Sequence, residues 1–168
     1  MNAIFKNFKV DAVYDDGMPA ATGSYKNYLK QIKANKIPYH VLKAGDEVDF
    51  FDGVKYKVLG TVKVIKDHKG NSDFNNNSVV GRLTYGKFSM MFTGDAEKEE
   101  EKTILDKGGT LKSDVLKVGH HGSRTSTSPA FLKAVSPKDA FISCGQGNDY
   151  GHPHKVTLDK LEKAKVHV

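Results

Sequence analysis

The 168-residue sequence has one cysteine, Cys144, and no apolar run longer than a short strand. A single cysteine excludes an internal disulfide and any zinc site built from several cysteines. Runs this short fall well below the ~18–20 residues that a membrane-spanning helix needs. The first residues also lack the basic segment and sustained apolar stretch of a signal peptide. We therefore expect neither a membrane span nor an export signal, with the cytoplasm as the default location.

Arginine is scarce too, because Arg82 and Arg124 are the only arginines, whereas lysines are scattered along the whole chain. The net charge is +6. A lysine-rich solvated surface explains this charge most simply, and attraction to a polyanion such as nucleic acid is the alternative. Hydrophobic residues make up 38% of the chain, which is enough for a folded core. We expect a single domain spanning residues 1–168.

Hydrophobic periodicity alternates between strand and helix spacing along the chain. Helices are predicted at residues 2–8, 22–36, 96–107, 129–135 and 156–164. Strands are predicted at 10–14, 39–42, 48–51, 54–59, 78–85, 88–92, 115–118 and 140–143. Asp52-Gly53 is a typical two-residue hairpin turn, because glycine tolerates the positive φ that such a turn requires. The pattern predicts an α/β protein of layered sheets and helices.

Polar residues that could carry chemistry follow three of the predicted strands. Asp95 ends the segment Thr93-Gly94-Asp95, His120 and His121 follow strand 115–118, and His152 lies in the glycine-rich loop after strand 140–143. Strand ends are where several loops can converge on one ion or substrate. A carboxylate and several imidazoles are ligands that suit zinc or manganese.

Simpler structural roles exist for these residues. Asp95 could cap the N-terminus of the helix that follows it. His120 and His121 could be ordinary loop histidines. Because neighbouring side chains on an extended segment point to opposite faces, we expect only one of the two to face a site.

Several other polar residues are expected to be structural. The acidic run 97–101 is predicted to form a solvated helix face, and Cys144 is predicted to be a core thiol. His40 and His154 are expected at the surface or in packing contacts. Gly81 lies inside a predicted strand and is expected to weaken it.

The order of these segments resembles one known family. Residues 75–80 read Asn-Asn-Asn-Ser-Val-Val, residues 114–123 read Asp-Val-Leu-Lys-Val-Gly-His-His-Gly-Ser, and residues 150–153 read Tyr-Gly-His-Pro. With Thr93-Gly94-Asp95 between the first two, this succession resembles the metallo-β-lactamase-fold hydrolases of the ComEC type, found in competence DNA-uptake proteins. The resemblance implies an αββα sandwich with one or two metal ions, zinc or manganese, at one edge of its two sheets. Family members use a metal-bound water to attack an ester, amide or phosphodiester.

The resemblance also implies roles for individual residues. Asp95 corresponds to the carboxylate that bridges two metal ions, and His152 to the late histidine ligand of the second metal. His120 or His121 corresponds to a ligand or to a proton donor near the leaving group.

Ser123 and Arg124 follow the histidine pair. No Gly-x-Ser-x-Gly segment is present, so a serine nucleophile is not expected. By the resemblance, these two residues would instead hold a phosphate oxygen through charge-assisted hydrogen bonds.

One hallmark of the family is missing from the sequence. The His-x-His-x-Asp-His block that supplies up to four ligands does not occur, and the chain resembles the family from the following helix onward. We therefore expect an N-terminally truncated sandwich with an uncovered apolar sheet face and with weak or no hydrolysis of nucleic acid by this chain alone. An upstream segment or a complementary chain would supply the missing ligands. The alternatives are a non-catalytic module that binds nucleic acid or another partner, and a chain without a function of its own.

Overall fold

The computed structural model describes residues 2–61 and 63–168 and contains two compact units, Met1–Leu42 and Lys43–Val168. The first unit consists of α1 (Asn2–Asn7), β1 (Val13–Asp15), α2 (Gly23–Ala34) and β2 (Tyr39–Val41), with β1 and β2 paired in parallel. Asp15 holds it together, because its carboxylate accepts hydrogen bonds from the Tyr28 and Tyr39 hydroxyls and from the Gly17 amide.

The second unit is built on one six-stranded sheet in the order β3-β4-β5-β6-β7-β8. The first four strands pair antiparallel and β6, β7 and β8 pair in parallel. Their bounds are Glu47–Asp49, Lys55–Val58, Gly81–Tyr85, Phe88–Phe92, Val115–Lys117 and Asp139–Phe141. Among its described residues this unit also has three α-helices: α3 (Lys98–Lys107), α4 (Pro129–Val135) and α5 (Lys155–Lys163). The predicted α/β class and the predicted hairpin at Asp52-Gly53 are therefore confirmed.

One cross-strand row shows how the sheet is covered. Residues that pair directly point to the same face, and the row runs from Glu47 through Lys57, Arg82, Met91 and Leu116 to Ala140. Its last three members are buried in a core with apolar side chains of all three helices, which include Ile104, Phe131 and Leu161. The same face is therefore apolar on one half of the sheet and charged on the other.

The opposite face of the sheet is only partly covered. Phe88 of β6 and Phe141 of β8 point to this face by the alternation along their strands, and they remain 45% and 42% exposed. Both aromatic rings therefore contact solvent on this face of the sheet.

Gly81 has a packing role that the sequence did not reveal. It begins β5 opposite Val58, and a Cβ atom at this position would lie 2.2 Å from the ring of Tyr56. The ring crosses the glycine and its hydroxyl donates to the Val79 carbonyl at 3.3 Å. The missing side chain at Gly81 thus lets the Tyr56 ring pack closely against β5. This packing role is separate from any effect of the glycine on strand propensity.

Two expectations about side-chain location are wrong. Glu100 and Glu101 of the acidic run are 0% and 1% exposed, because they accept backbone hydrogen bonds from loops that pack on α3. Thr61 N donates to Glu100 Oε1 at 2.6 Å, and Ser128 N donates to Glu101 Oε2 at 2.8 Å. Cys144, predicted as a core thiol, is exposed because it lies beyond the end of β8 in the glycine-rich loop.

Burial changes the ionisation of both carboxyl groups. Desolvation raises the pKa of Glu100 to about 7 and also raises the pKa of Glu101.

The N-terminus of α3 is capped by Asn76, whose side-chain oxygen accepts from Glu97 N at 3.1 Å and from Glu100 N at 3.2 Å.

Candidate functional site

The turn after β6 presents Asp95 at the carboxyl end of the strand. Gly94 has φ of +53°, and a Cβ there would lie 2.8 Å from the side chain of Ser78. Ser78 Oγ accepts from Asp95 N at 3.0 Å, which fixes the turn. Asp95 is not a helix cap, because α3 begins at Lys98 with Glu97 at the N-cap position. Its carboxylate is therefore free to serve the site.

His120 and His121 both face this site, contrary to the expectation that only one would. They lie in a 3-10 turn, Gly119–Gly122, in which both residues adopt positive φ, 45° and 54°. A turn of this kind does not alternate side chains as an extended segment does. The two ring centroids are consequently 6.2 Å apart.

His120 is held by Glu97, a residue whose role the sequence did not reveal. Its Nδ1 lies 2.9 Å from Glu97 Oε1, and Thr125 Oγ1 donates to the same oxygen at 2.9 Å. The side chains of His120 and Glu97 are only 23% and 19% exposed. Glu97 thus occupies Nδ1 and orients the ring, which leaves Nε2 available to the site. Carboxylates commonly orient metal-binding histidines in this way.

His121 lies between a carbonyl group and a carboxylate. Its Nδ1 is 2.6 Å from the Ser143 carbonyl oxygen, and its Nε2 is 3.4 Å from Asp95 Oδ1. A carbonyl oxygen only accepts, so Nδ1 carries a proton. Nε2 is then either a lone-pair donor to a metal ion or, when protonated, a proton donor next to Asp95.

His152 is positioned by Asn148. Asn148 Oδ1 accepts from His152 N at 3.0 Å, and Asn148 Nδ2 donates to the His152 carbonyl at 2.7 Å. These two bonds close the glycine-rich loop on itself. The loop therefore carries His152 on a fixed support, even though it has no regular secondary structure.

The His152 ring lies at the centre of an imidazole cluster. Its centroid is 5.6 Å from that of His120, 6.4 Å from that of His121 and 4.8 Å from that of His154, and Tyr150 stacks on it at 5.7 Å. Burial lowers the pKa of His152, and the neighbouring histidines lower it further. A lowered pKa favours the neutral imidazole, which is the form that binds metal.

Ser123 and Arg124 lie beside the cluster in different environments. Ser123 is 4% exposed, with its hydroxyl 2.9 Å from Thr125 Oγ1. Arg124 is exposed, and its backbone N–H donates to His154 Nδ1 at 3.1 Å. The guanidinium is thus the group of this pair that can reach a phosphate from solvent.

Lys117 is a further site residue that sequence patterns missed. Its Nζ donates to the Gly94 carbonyl at 3.0 Å and to the Val118 carbonyl at 3.3 Å. Burial lowers the pKa of the ammonium, while the charge of Asp95 opposes that shift. A lysine inside an otherwise apolar strand was the available signal.

The donor set agrees in chemistry with a metal site, but it is incomplete. One carboxylate and several imidazoles suit zinc or manganese. Within residues 2–61 and 63–168, however, no three histidine, cysteine or acidic side chains are arranged to hold a metal ion. The residues described here therefore contribute candidate ligands, Asp95 and His152 foremost, without forming a metal centre by themselves.

Comparison with known proteins places the sequence in the metallo-beta-lactamase superfamily and shows its similarity to competence proteins. The profile of the Metallo-beta-lactamase superfamily matches residues 7–146. ComE operon protein 3 of Bacillus subtilis is 44% identical over 146 residues, which are 85% of this chain and 19% of that protein. Recombination protein 2 of Haemophilus influenzae is 43% identical over 115 residues, 68% of this chain and 14% of that protein. Competence protein ComA of Neisseria gonorrhoeae is 38% identical over 112 residues, 66% of this chain and 16% of that protein.

The chain thus spans less than a fifth of the length of these curated relatives. No helix in the described part of the chain is both long and apolar enough to cross a membrane.

Solved structures support the same fold. CmlA, a diiron β-hydroxylase from Streptomyces venezuelae, superposes with a TM-score of 0.58 at 11% identity and covers 96% of this chain and 38% of its own. A protein of Parabacteroides distasonis described as a candidate metal-dependent hydrolase superposes with a TM-score of 0.53 at 16% identity, covering 98% of this chain and 77% of its own.

Proposed function

Because this chain belongs to the metallo-beta-lactamase superfamily, with relatives among the ComEC-type competence proteins, we propose that it supplies part of the active site of a metal-dependent hydrolase of nucleic-acid phosphodiesters. The observation that carries the proposal is the convergence of Asp95, His120, His121 and His152 at one end of the sheet. Members of the superfamily are metal-dependent.

Each residue has a distinct part in this proposal. Asp95 and His152 would bind the divalent ion, zinc or manganese. A bound ion of this kind lowers the pKa of a coordinated water towards neutrality. His121 is suited to proton transfer, because Ser143 fixes its Nδ1 and leaves Nε2 beside Asp95. His120, oriented by Glu97, is the second candidate for that role.

The positive groups near the cluster support a phosphodiester substrate. Arg124 is exposed beside His154 and its guanidinium can pair with a phosphate oxygen. The net charge of +6 favours the approach of a polyanion. Ser123 would support this contact through the loop, since its own hydroxyl is bonded to Thr125.

We expect the chain alone to bind metal weakly and to hydrolyse substrate slowly or not at all. Zinc sites use three or four protein ligands, and the sequence has no His-x-His-x-Asp-His block. The missing ligands would come from additional polypeptide, covalently joined or supplied by a complementary chain.

The cytoplasmic location stays a prediction, which cell fractionation would test.

The test measures metal uptake and hydrolysis together. Equilibrium dialysis of the chain against Zn²⁺ or Mn²⁺, followed by elemental analysis, is compared with hydrolysis of bis-p-nitrophenyl phosphate and single-stranded DNA. Asp95→Asn removes a candidate ligand at nearly constant shape, and Asp106→Asn is the matched control on the exposed face of α3.

We expect Asp95→Asn to lower metal uptake and Asp106→Asn to leave it unchanged. Adding a polypeptide that carries the family's His-x-His-x-Asp-His block should raise hydrolysis with the wild type and not with Asp95→Asn. Equal uptake by all three proteins, with no hydrolysis after the addition, would instead favour a non-catalytic binding module.

A further inference from the structure

A second concave site lies on the helix-covered face of the sheet, at the other end of α3. It is a cavity of about 380 Å³ between β4, β5 and the turn that follows the helix. Glu97 contacts His120 at the start of α3, whereas Lys107 lines the cavity at its end. Ten residues of helix span about 15 Å, so the cavity is separate from the candidate active site.

The lining of this cavity is cationic over an apolar base. Four positive side chains, from Lys55, Lys57, Arg82 and Lys107, surround it, and Glu47 is the single carboxylate among its lining residues. The base includes Val58, Leu59 and Ile104, which are at most 9% exposed. Lys55, Lys57 and Arg82 lie on the part of the sheet that the three helices leave uncovered, and Lys107 is the last residue of α3.

Structural contacts account for only part of the hydrogen-bonding capacity of these cations. Lys57 Nζ donates to Glu47 Oε1 at 2.7 Å, and Lys107 Nζ donates to the Ala44 carbonyl at 3.0 Å. Lys55 Nζ forms an exposed ion pair with Asp49 Oδ1 at 3.5 Å. Arg82 Nε donates to the Lys112 carbonyl at 2.8 Å. An ammonium has three donors and a guanidinium five, so most of the N–H groups remain for a ligand. Lys107 also offsets the negative end of the α3 dipole, which would otherwise disfavour an anion here.

We propose that this cavity binds the phosphodiester backbone of single-stranded nucleic acid. Lys55 and Lys57 alternate along β4 and are therefore about 7 Å apart on one face, with Arg82 directly beside Lys57. A row of cations fits successive phosphates of a chain, whereas a single inorganic phosphate would fill little of the volume. The concave shape and apolar base suit a nucleotide, and a flat lipid surface could not enter them.

The choice of nucleic acid as the ligand rests in part on the proposed function, while the anion site itself rests on the cavity. Binding is therefore measured without hydrolysis, by fluorescence anisotropy of a labelled oligothymidylate of about 20 nucleotides in EDTA at about 50 mM salt. The test variant combines Lys55→Gln, Lys57→Gln and Lys107→Gln. The matched control combines Lys26→Gln, Lys30→Gln and Lys33→Gln on the exposed face of α2.

Both variants lose three positive charges, so they differ only in where the charge is removed. We expect the cavity variant to bind at least about tenfold more weakly, with a salt dependence shallower by about two units of slope. The control should stay within about twofold of the wild type. Thermal unfolding of each protein confirms that the variants are folded.

Three results would overturn the proposal. Equal weakening by both variants would mean that binding depends on total charge alone. No binding by the wild type at low salt would exclude nucleic acid. Binding of phosphatidylserine vesicles that competes with the oligonucleotide and is lost in the cavity variant would assign the site to lipid headgroups. If the chain hydrolyses no substrate, these binding results can still be interpreted, because they are measured in EDTA without metal.

Discussion

Replacing Glu100 by glutamine removes an ionisable group from the core and keeps its hydrogen-bonding shape. The carboxylate is fully buried, accepts from Thr61 N at 2.6 Å and from Thr103 Oγ1 at 3.3 Å, and has a pKa raised to about 7 by desolvation. A glutamine oxygen can keep the bond to Thr61. Its NH₂ group can donate to the Thr103 hydroxyl, which has a free lone pair.

The pH dependence follows from the direction of this pKa shift. The unfolded chain releases the Glu100 proton near pH 4.5, whereas the folded protein retains it up to about pH 7. Between these values the folded state binds more protons, so the free energy of unfolding falls as the pH rises. Each unit of pKa shift corresponds to about 1.4 kcal/mol, so the shift from 4.5 to about 7 lowers the free energy of unfolding by about 3 kcal/mol in total above pH 7.

Urea unfolding of wild type and Glu100→Gln at several pH values measures this penalty. The two proteins should have similar stability at about pH 5, and the variant should be more stable by about 2–3 kcal/mol at about pH 8. Glu162→Gln, an exposed change on α5, is the control and should show no such trend. A difference between wild type and Glu100→Gln that does not vary with pH would refute the reasoning.

Two further substitutions test packing and loop support. Gly81→Ala should lower the free energy of unfolding by about 1–3 kcal/mol, because its Cβ meets the Tyr56 ring. In a chain that also carries Tyr56→Ala, Gly81→Ala should cost much less, and a cost in urea unfolding that is the same in both backgrounds would contradict this. Asn148→Ala removes the two hydrogen bonds that hold the loop carrying His152. It should lower metal uptake clearly and the thermal midpoint only slightly, and an unchanged His152 resonance in NMR spectra would contradict this.

The convergence of candidate site residues could be anticipated from strand ends. Asp95, His120, His121 and His152 each follow a buried strand or its loop, and the parallel order of β6, β7 and β8 brings those ends to one edge. The orientation of the histidine pair could not be anticipated, because two consecutive non-glycine residues with positive φ leave no pattern in the sequence.

The acidic run was misread for a related reason. Helical periodicity compares apolar with polar residues, and five consecutive polar residues carry no signal about which side is buried. Glu100 and Glu101 are inside because backbone amides of distant segments, at Thr61 and Ser128, need acceptors there. Such pairings depend on tertiary contacts between residues 27 and 39 positions apart.

The first turn of α3 links the stability of the protein to the geometry of its site. Glu97 fixes the His120 ring, while Glu101, one turn further along, fixes the amides at Thr127 and Ser128 in the loop that follows the histidine pair. Because one short helix supplies both contacts, a shift of α3 would move His120 and this loop together. Burial makes ionisation of the Glu101 carboxyl group costly, and in return this group holds the backbone of the loop next to the imidazole cluster.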